Sequence, residues 1–291
     1  MDTPENRQEP AAFNPDRQDA VPCAPEPPKG AAAKLAAFFR MLLCEPSPIM
    51  DSVEDRRRDR QYILPCIISL LGLMAGMAFF YFFAIVMKIG EDLSTIGKVI
   101  LGLLPYQFFT FGACVLGLIP LMRREGLAKA FDILSPMPPL KSLIASVLKL
   151  LVLMYPLVFV INHISEWICT ALSIPFSEQM IPMLGKDAGL SFWVFSAICS
   201  VVFAPVTEEV MIRLVLFRAI RGLIPVWATI LSTLAFTLMH GGTPQYWPSL
   251  FLIGLFLIRA RRVMGLQCSI LLHSTYNLIA FVFILLQLFF E

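Results

Sequence analysis

The 291-residue sequence predicts an all-α fold: a polytopic membrane helix bundle of about seven transmembrane helices, some of them broken or short, around a central cavity open to the cytoplasmic side. Three observations predict this fold: a high apolar content, apolar runs as long as a bilayer is thick, and basic residues at alternate ends of these runs. Mean hydropathy is +0.74, and only 15% of the residues are charged, against roughly 25% in an average soluble domain. No pattern of basic and aromatic residues indicates a nucleic-acid partner.

The first 60 residues are predicted to be a disordered cytoplasmic tail. They contain nearly half of the charged residues of the chain, and Met1–Lys29 is too rich in Pro, Glu, Asp, Gln and Ala to bury an apolar core. Within this tail, Ala31–Cys44 clusters large apolar residues beside Lys34 and Arg40. This segment is a candidate interfacial helix, the alternative being a helix that forms only transiently.

Apolar runs of about 20 residues can cross a bilayer as helices, and the rest of the chain contains several. Two are expected in residues 61–135 and the others in a core domain over residues 136–291. The long runs are Tyr62–Met87, Val99–Met122, Leu140–Ile164, Ser191–Ile220 and Leu266–Phe290. Leu223–His240 and Tyr246–Ile258 are shorter and are separated by Gly241–Pro244, which predicts helices broken around a cavity.

Basic residues at the ends of these runs indicate the cytoplasmic side, because cytoplasmic loops are enriched in Lys and Arg. They precede the first span and follow the second, fourth and sixth, whereas the opposite connections contain few cations. These basic residues are Arg56, Arg57, Arg58, Arg60, Arg123, Arg124, Lys129, Arg218, Arg221, Arg259, Arg261 and Arg262. The amino terminus is therefore predicted to be cytoplasmic.

Two adjacent carboxylates and an arginine, Glu208, Glu209 and Arg213, lie inside the fourth long apolar run. Ionisable groups at membrane depth are costly and occur mainly where they face a cavity. Glu208 lies roughly 15 Å from the basic end of its span, at about 1.5 Å per helical residue. His240 and His273, on two later helices, lie roughly 20 and 12 Å from theirs. Three ionisable groups from three helices are thus predicted to converge.

Residue spacing suggests that the two carboxylates have different roles. Glu209 and Arg213, four residues apart on a helix, share a face and can neutralise each other in a dry interior. Glu208 points away from that face and has no local partner. This difference predicts that Glu208 transfers protons while Glu209 supports the structure.

Two more pairs with four-residue spacing follow: Phe236 with His240, and His273 with Asn277. A carboxylate and one imidazole can polarise a water molecule, while a second imidazole and a carboxamide can donate hydrogen bonds to a developing oxyanion. These groups suffice for amide hydrolysis without a covalent nucleophile. The predicted catalytic residues are Glu208, His240, His273 and Asn277, and the predicted supporting residues are Glu209, Arg213 and Phe236.

Three segments, EEVMIR from Glu208, FTLMH up to His240 and HSTYN up to Asn277, resemble the CAAX protease and bacteriocin-processing enzyme family of intramembrane endopeptidases. The resemblance covers about the last hundred residues, within a predicted intramembrane protease core of residues 136–291. It implies that the enzyme is a metal-independent glutamate protease without a cofactor. It implies that Glu208 and His240 activate the water while His273 and Asn277 hold the oxyanion. It also implies a CAAX prenyl protease-like or a bacteriocin and leader-peptide processing activity.

The expected partners are the lipid bilayer and a peptide or membrane-protein substrate, with or without a prenyl group. The expected location of this multi-pass protein is the bacterial plasma (inner) membrane. The sequence does not discriminate among prenylated CAAX proteins, leader peptides and unprenylated membrane proteins as substrates.

Other functions are compatible with some of the ionisable residues found in the apolar helices. A zinc hydrolase could use two His and a Glu as ligands, although H-E-x-x-H is absent. A proton-coupled transporter could use the same carboxylate and His groups as a relay. A membrane scaffold or immunity protein could keep the fold without turnover. A thiol protease is disfavoured because Cys268 and His273, five residues apart, do not share a helix face.

The absence of standard zinc-ligand spacing leads to a testable prediction. Strong chelators should leave peptidase activity intact, because the predicted mechanism needs no metal to activate water. Metal analysis of the purified protein should find well under about one zinc per chain. Activity that a chelator removes and added zinc restores would establish the metallopeptidase alternative.

Overall fold

A computed structural model describes Gly30, Ala33, Ala37 and residues 53–86, 95–131, 138–174, 189–240 and 244–290. The chain divides into two units, Met1–Arg40 and Met41–Glu291. Of the predicted interfacial helix Ala31–Cys44, only Ala33 and Ala37 are described, both as helical, and the rest lies outside the described residues. The described part of the second unit consists of helices and short connections, without a strand in those residues, which confirms the all-α prediction.

The helices of the second unit follow the apolar runs of the sequence. In chain order they are α1 (Val53–Arg60), α2 (Ile63–Val86), α3 (Thr95–Glu125), α4 (Leu127–Ala130), α5 (Leu140–Ala171), α6 (Leu190–Leu223), α7 (Ala228–Met239) and α8 (Trp247–Phe290). Short 3₁₀ turns, Pro225–Trp227 and Pro244–Tyr246, lead into α7 and α8.

Five stretches of the described chain are long and apolar enough to cross a membrane: Arg57–Phe79, Pro105–Glu125, Leu140–Ala171, Leu190–Leu223 and Met264–Leu288. They identify an integral membrane protein. The two shorter predicted runs form α7 and the first half of α8. The total of seven transmembrane helices and the orientation of the bundle stay predictions.

Helix α8 is two helices joined by a kink, which explains why the sequence shows two apolar runs there. Met264 and Gly265 have non-helical backbone angles, and Gly265 has a φ of 79°. Glycine adopts this left-handed region without the steric cost that a side chain brings. The kink separates the arginine-rich end of the first half from the second half, which carries His273.

Helix α6 is not a uniform α-helix, because two of its segments, Cys199–Phe203 and Glu209–Leu216, are π-helical. The short α-helical segment Ala204–Glu208 lies between them. A π-helix bonds residue i to residue i+5, and such wide turns occur frequently at functional sites. The two predicted acidic residues therefore lie where α6 changes from α to π geometry.

The predicted disordered tail of residues 1–60 differs from the structure at its end, where residues 53–60 form α1. Asp59 on α1 is 1% exposed and accepts a hydrogen bond of 2.7 Å from Arg218 Nε on α6. Arg221 Nε also donates to Asp59, and Arg60 Nε donates to the Gly222 carbonyl oxygen at 3.0 Å. A buried carboxylate between two guanidinium groups orders this segment, which the charge-rich composition alone did not indicate.

Tyr62 extends the Asp59 contacts toward α4. Arg218 Nη1 donates to the Tyr62 hydroxyl at 3.0 Å, and that hydroxyl donates to the Ala130 carbonyl oxygen at 3.0 Å. The contacts of Asp59, Tyr62 and Arg218 thus join α1, α4 and the last turns of α6. We call this part of the bundle the basic end, defined by Arg58, Arg60, Arg124, Arg218 and Arg221.

Helices α2 and α3 pack closely against each other. A Cβ atom added at Gly72 would come within 2.7 Å of the Phe109 carbonyl oxygen, so only glycine permits this approach. Small residues at such crossings let membrane helices gain dispersion energy over a long contact. This packing holds α3 beside α6, which it also contacts.

Replacement of Asp59 by Asn tests the importance of the basic end. The variant removes the carboxylate that pairs with Arg218 and Arg221, and breaking a buried pair costs about 3–5 kcal/mol. We expect a clear fall in Tm of the detergent-solubilised protein. Glu125→Gln is the matched control, because its partners Arg58 and Arg124 have 37% and 59% exposed side chains and exposed pairs contribute about 1 kcal/mol or less. Equal Tm values for the two variants would contradict this assignment.

Candidate active site

Glu208, His240 and His273 come together in the interior of the bundle, from α6, the end of α7 and α8. Glu208 Oε2 lies 3.7 Å from His240 Nε2 and 3.8 Å from His273 Nε2. The Glu208 side chain is 12% exposed, and its Oε2 atom accepts no hydrogen bond from the described residues. Both separations exceed a direct hydrogen bond but suit a bridging water molecule.

His240 is fixed by its own helix. Its Nδ1 atom lies 2.8 Å from the Phe236 carbonyl oxygen. A carbonyl oxygen only accepts hydrogen bonds, so Nδ1 carries a hydrogen, and Nε2 is the ring atom directed at Glu208. The His240 side chain is 31% exposed, so it is the more accessible of the two imidazoles.

His273 is buried and is fixed by the second carboxylate. Its Nδ1 atom lies 3.1 Å from Glu209 Oε1, and its side chain is 4% exposed. Ser269, one turn earlier on α8, donates its hydroxyl hydrogen to Glu209 Oε2. Glu209 therefore orients the ring that faces Glu208, a contact that the sequence did not predict.

Glu209 and Arg213 form the ion pair that their spacing predicted. Arg213 Nε lies 3.6 Å from Glu209 Oε2, and both side chains are 0% exposed. The guanidinium carbon of Arg213 lies 4.0 Å from the centre of the Phe236 ring, a cation–π contact. No hydrogen bond from the Arg213 guanidinium to another described residue is present, so its charge is balanced by this carboxylate and this ring.

Phe236 connects the charged groups to both imidazoles. Its ring meets His240 edge-on at 4.4 Å between ring centres and His273 at 5.9 Å, while Arg213 lies over its face. Phe236 is 1% exposed. A phenyl ring at this position holds both imidazoles at their separations from Glu208, which is a structural basis for the supporting role predicted for Phe236.

Asn277 makes a hydrogen bond to the first π-helical segment of α6. Its Nδ2 atom donates to the Ser200 carbonyl oxygen at 2.8 Å. Ser200 belongs to the first π-helical segment of α6, so the Asn277 carboxamide ties α8 to that segment. A carboxamide has two N–H donors, and this bond uses one of them.

A cavity of about 230 Å³ adjoins Glu208. Its lining residues are Tyr106, Gln107, Ser196, Cys199, Ser200, Ala204, Glu208, Met239 and His240. The α6 residues in this list precede Glu208, whereas Arg218 and Arg221 follow it. The cavity therefore extends from Glu208 away from the basic end. If the basic end is cytoplasmic, this is not the direction of the predicted opening, and the cytoplasmic opening stays a prediction.

Three polar residues of this region, Ser269, Gln107 and Ser196, were not among the predicted site residues. Ser269 precedes His273 by four residues, the same spacing that identified the other pairs, so the signal was present. Gln107 is a lone carboxamide in an apolar run, a weak signal of the same kind. Ser196 carries no such signal, because a serine in a helix satisfies its hydroxyl on its own backbone in many proteins.

These groups have the chemistry of a hydrolytic site. A carboxylate with an unbonded oxygen faces the Nε2 atoms of two imidazoles, one of which contacts a second carboxylate through Nδ1, beside a cavity. Among the residues that the structure describes, no three His, Cys, Asp or Glu side chains are grouped as metal ligands. The described cysteines, Cys66, Cys114, Cys169, Cys199 and Cys268, are free and buried.

Comparison with protein families identifies a match in the second half of the chain. Residues 190–279 match the family described as Rce1-like, type II CAAX prenyl endopeptidase. The resemblance to CAAX proteases is thereby confirmed for the segment that carries Glu208, His240, His273 and Asn277, and it indicates a membrane-embedded peptidase. Comparisons with curated proteins and with solved structures gave no match.

The contacts of Glu209 with Arg213 and with His273 can be separated by mutation. Glu209→Gln leaves Arg213 without its counter-charge and should destabilise the protein by about 3–5 kcal/mol, read as a lower Tm. It also removes the carboxylate that orients His273, so peptidase activity should fall. The double variant Glu209→Gln, Arg213→Met removes both charges and should recover much of the Tm.

Activity of the double variant then decides the role of Glu209. We expect it to stay low, because a carboxamide accepts a weaker hydrogen bond from His273 Nδ1–H than a carboxylate does and orients the ring less firmly. Recovery of both Tm and activity would mean that Glu209 acts only as the counter-charge of Arg213.

Proposed function

We propose that this chain, whose residues 190–279 carry the Rce1-like type II CAAX prenyl endopeptidase domain, hydrolyses a peptide bond within the membrane by using water activated by Glu208 and His240. The observation that supports the proposal most is that His240 Nε2 and His273 Nε2 both face the same oxygen of Glu208, at 3.7 and 3.8 Å. His273 and Asn277 complete the proposed site as oxyanion donors.

The two imidazoles differ in what they bond through Nδ1, and this difference supports different roles. His240 bonds a neutral carbonyl oxygen, so nothing there compensates a positive ring, and its Nε2 accepts a hydrogen bond from water. His273 bonds the Glu209 carboxylate through Nδ1–H, so the proposed donor role of Nε2–H requires the imidazolium form of this ring. An imidazolium at His273 also balances charge, since Glu208, Glu209, Arg213 and His273 then sum to zero in a dry interior.

The proposed reaction begins with a water molecule between Glu208 and His240. Glu208 takes a proton from the water molecule while the water oxygen bonds to the scissile carbonyl carbon. The carbonyl oxygen becomes an oxyanion that accepts hydrogen bonds from His273 Nε2–H and from the second N–H of Asn277. Glu208 then gives its proton to the amide nitrogen as the carbon–nitrogen bond breaks. The products are a carboxylic acid and an amine, and Glu208 is regenerated.

The substrate proposed for this site is a peptide or membrane protein, with a prenylated CAAX terminus as the first candidate because of the matched family. We further propose that the basic end is cytoplasmic, because it concentrates arginines from α1, α3 and α6, and cytoplasmic ends of membrane helices are enriched in such residues. The amino terminus would then be cytoplasmic.

Glu208→Gln provides the main test. The change removes the base but keeps the shape, so the variant should stay folded with an unchanged Tm and should lose peptide cleavage by at least about 100-fold, the lower range for general base catalysis. The assay compares a farnesylated CAAX peptide with its unprenylated form by mass spectrometry, using protein in detergent and in sealed vesicles.

Wild-type cleavage rates in the Glu208→Gln variant would contradict the proposed base. A parallel pH-dye assay in the vesicles addresses the transporter alternative. Proton flux without new peptide termini, abolished by Glu208→Gln, would replace the peptidase proposal by a proton-coupled transporter.

A further inference from the structure

Two buried polar side chains in the cavity wall do not take part in the proposed chemistry. Gln107 on α3 is 7% exposed and Ser196 on α6 is 3% exposed, and both line the cavity. Gln107 Oε1 and Ser196 Oγ have no hydrogen-bond partner among the described residues. They lie on different helices that contact each other.

An unpartnered polar group in an apolar interior is unfavourable. Its desolvation costs free energy that a hydrogen bond would offset, and an apolar residue of the same shape avoids that cost. Stability alone would therefore favour Leu at Gln107 and Ala at Ser196. Retaining two such groups in the wall of one cavity indicates a ligand that supplies their hydrogen bonds.

We infer that Gln107 and Ser196 form a subsite that binds the peptide backbone of the substrate and aligns its scissile bond with Glu208. This inference rests on the proposed function. A carboxamide offers a donor and an acceptor in one plane, as a backbone amide does, so Gln107 can pair with both groups of one peptide unit. The Ser196 hydroxyl adds a donor or an acceptor for a neighbouring unit. The accessible surface of the cavity is largely apolar, which suits a binding site with a few fixed polar contacts.

The distance between the subsite and Glu208 determines which residues of the substrate the subsite contacts. Ser196 precedes Glu208 by twelve residues on α6, or roughly 18 Å at about 1.5 Å per residue. An extended peptide covers that distance with about five residues. The subsite therefore contacts the substrate backbone within about five residues of the scissile bond, in the half of the bundle away from the basic end.

The subsite also assigns a role to the helices outside the matched domain. Gln107 lies on α3, which precedes residues 190–279, and α3 contacts α6. One wall of the binding site is thus supplied by the amino-terminal helices. Substrate selection in this chain then depends on a helix that lies outside the matched family domain.

Gln107→Leu separates substrate binding from a structural role. Removing an unpartnered polar group should leave the Tm unchanged or raise it. We expect KM for the farnesylated CAAX peptide to rise roughly 3- to 10-fold, the effect of one lost hydrogen bond, with kcat within about two-fold because the loss affects substrate and transition state equally. Ser196→Ala should act in the same direction.

Thr110→Val is the matched control. Thr110 lies one turn further along α3, is 1% exposed and has an unpartnered Oγ1 atom, but it is not among the cavity-lining residues. This variant should keep the wild-type KM. An equal rise of KM in Thr110→Val and Gln107→Leu would overturn the subsite in favour of a general effect on helix packing.

Substrate analogues can identify the backbone N–H group that Gln107 contacts. In a series of farnesylated CAAX peptides, each backbone N–H within five residues of the scissile bond is replaced in turn by an ester oxygen. We expect one position at which the ester raises KM for the wild type but not for Gln107→Leu. An ester series in which every position affects both proteins equally would overturn the backbone contact.

The outcomes for the two proposals are distinct. If the wild type cleaves the peptide and Gln107→Leu has the same KM, only the subsite is overturned. If the wild type cleaves neither the prenylated nor the unprenylated peptide, the proposed function fails and the subsite fails with it.

Discussion

The buried carboxylate of Glu209 is the contact on which the rest of the site depends. It is 0% exposed and bonds His273 and Ser269 on α8 while pairing with Arg213 on its own helix. A carboxylate in an apolar interior is tolerable only if its charge is neutralised and its lone pairs are used. Glu209 therefore fixes the spacing of α6 and α8, and the position of the His273 ring follows from it.

Glu208, the neighbouring carboxylate, has the opposite surroundings. Its Oε2 atom has no hydrogen-bond partner among the described residues and adjoins a cavity. Phe236 lies between these two environments, since its ring contacts Arg213, His240 and His273. A single phenyl ring thus links the ion pair to both imidazoles. Glu208, which has an unbonded oxygen, thus lies beside Glu209, whose two oxygens both have partners. A locally unfavourable group of this kind is expected where function lowers local stability.

The amino-terminal helices contact α6 near both of its ends. At the basic end, Asp59 and Tyr62 bond Arg218, which fixes the last turns of α6. Nearer the other end, α3 supplies Tyr106 and Gln107 to the cavity wall. Between these contacts, α6 contains two π-helical segments on either side of Glu208. Packing at both ends of α6 stabilises these wide turns, which are less favourable than α-helix.

The sequence determined the all-α class, the apolar spans and the residues that share helix faces, because hydropathy and a fixed helical period are local properties. It thereby placed Glu209 beside Arg213 and brought Glu208, His240 and His273 to similar depths. Tertiary structure alone decided that Glu209 bonds His273, that Asn277 bonds the Ser200 carbonyl, that Asp59 orders α1, and that Gln107 reaches the cavity. These contacts join different helices, and their geometry depends on the rotation, tilt and local winding of each helix, which packing sets and periodicity does not.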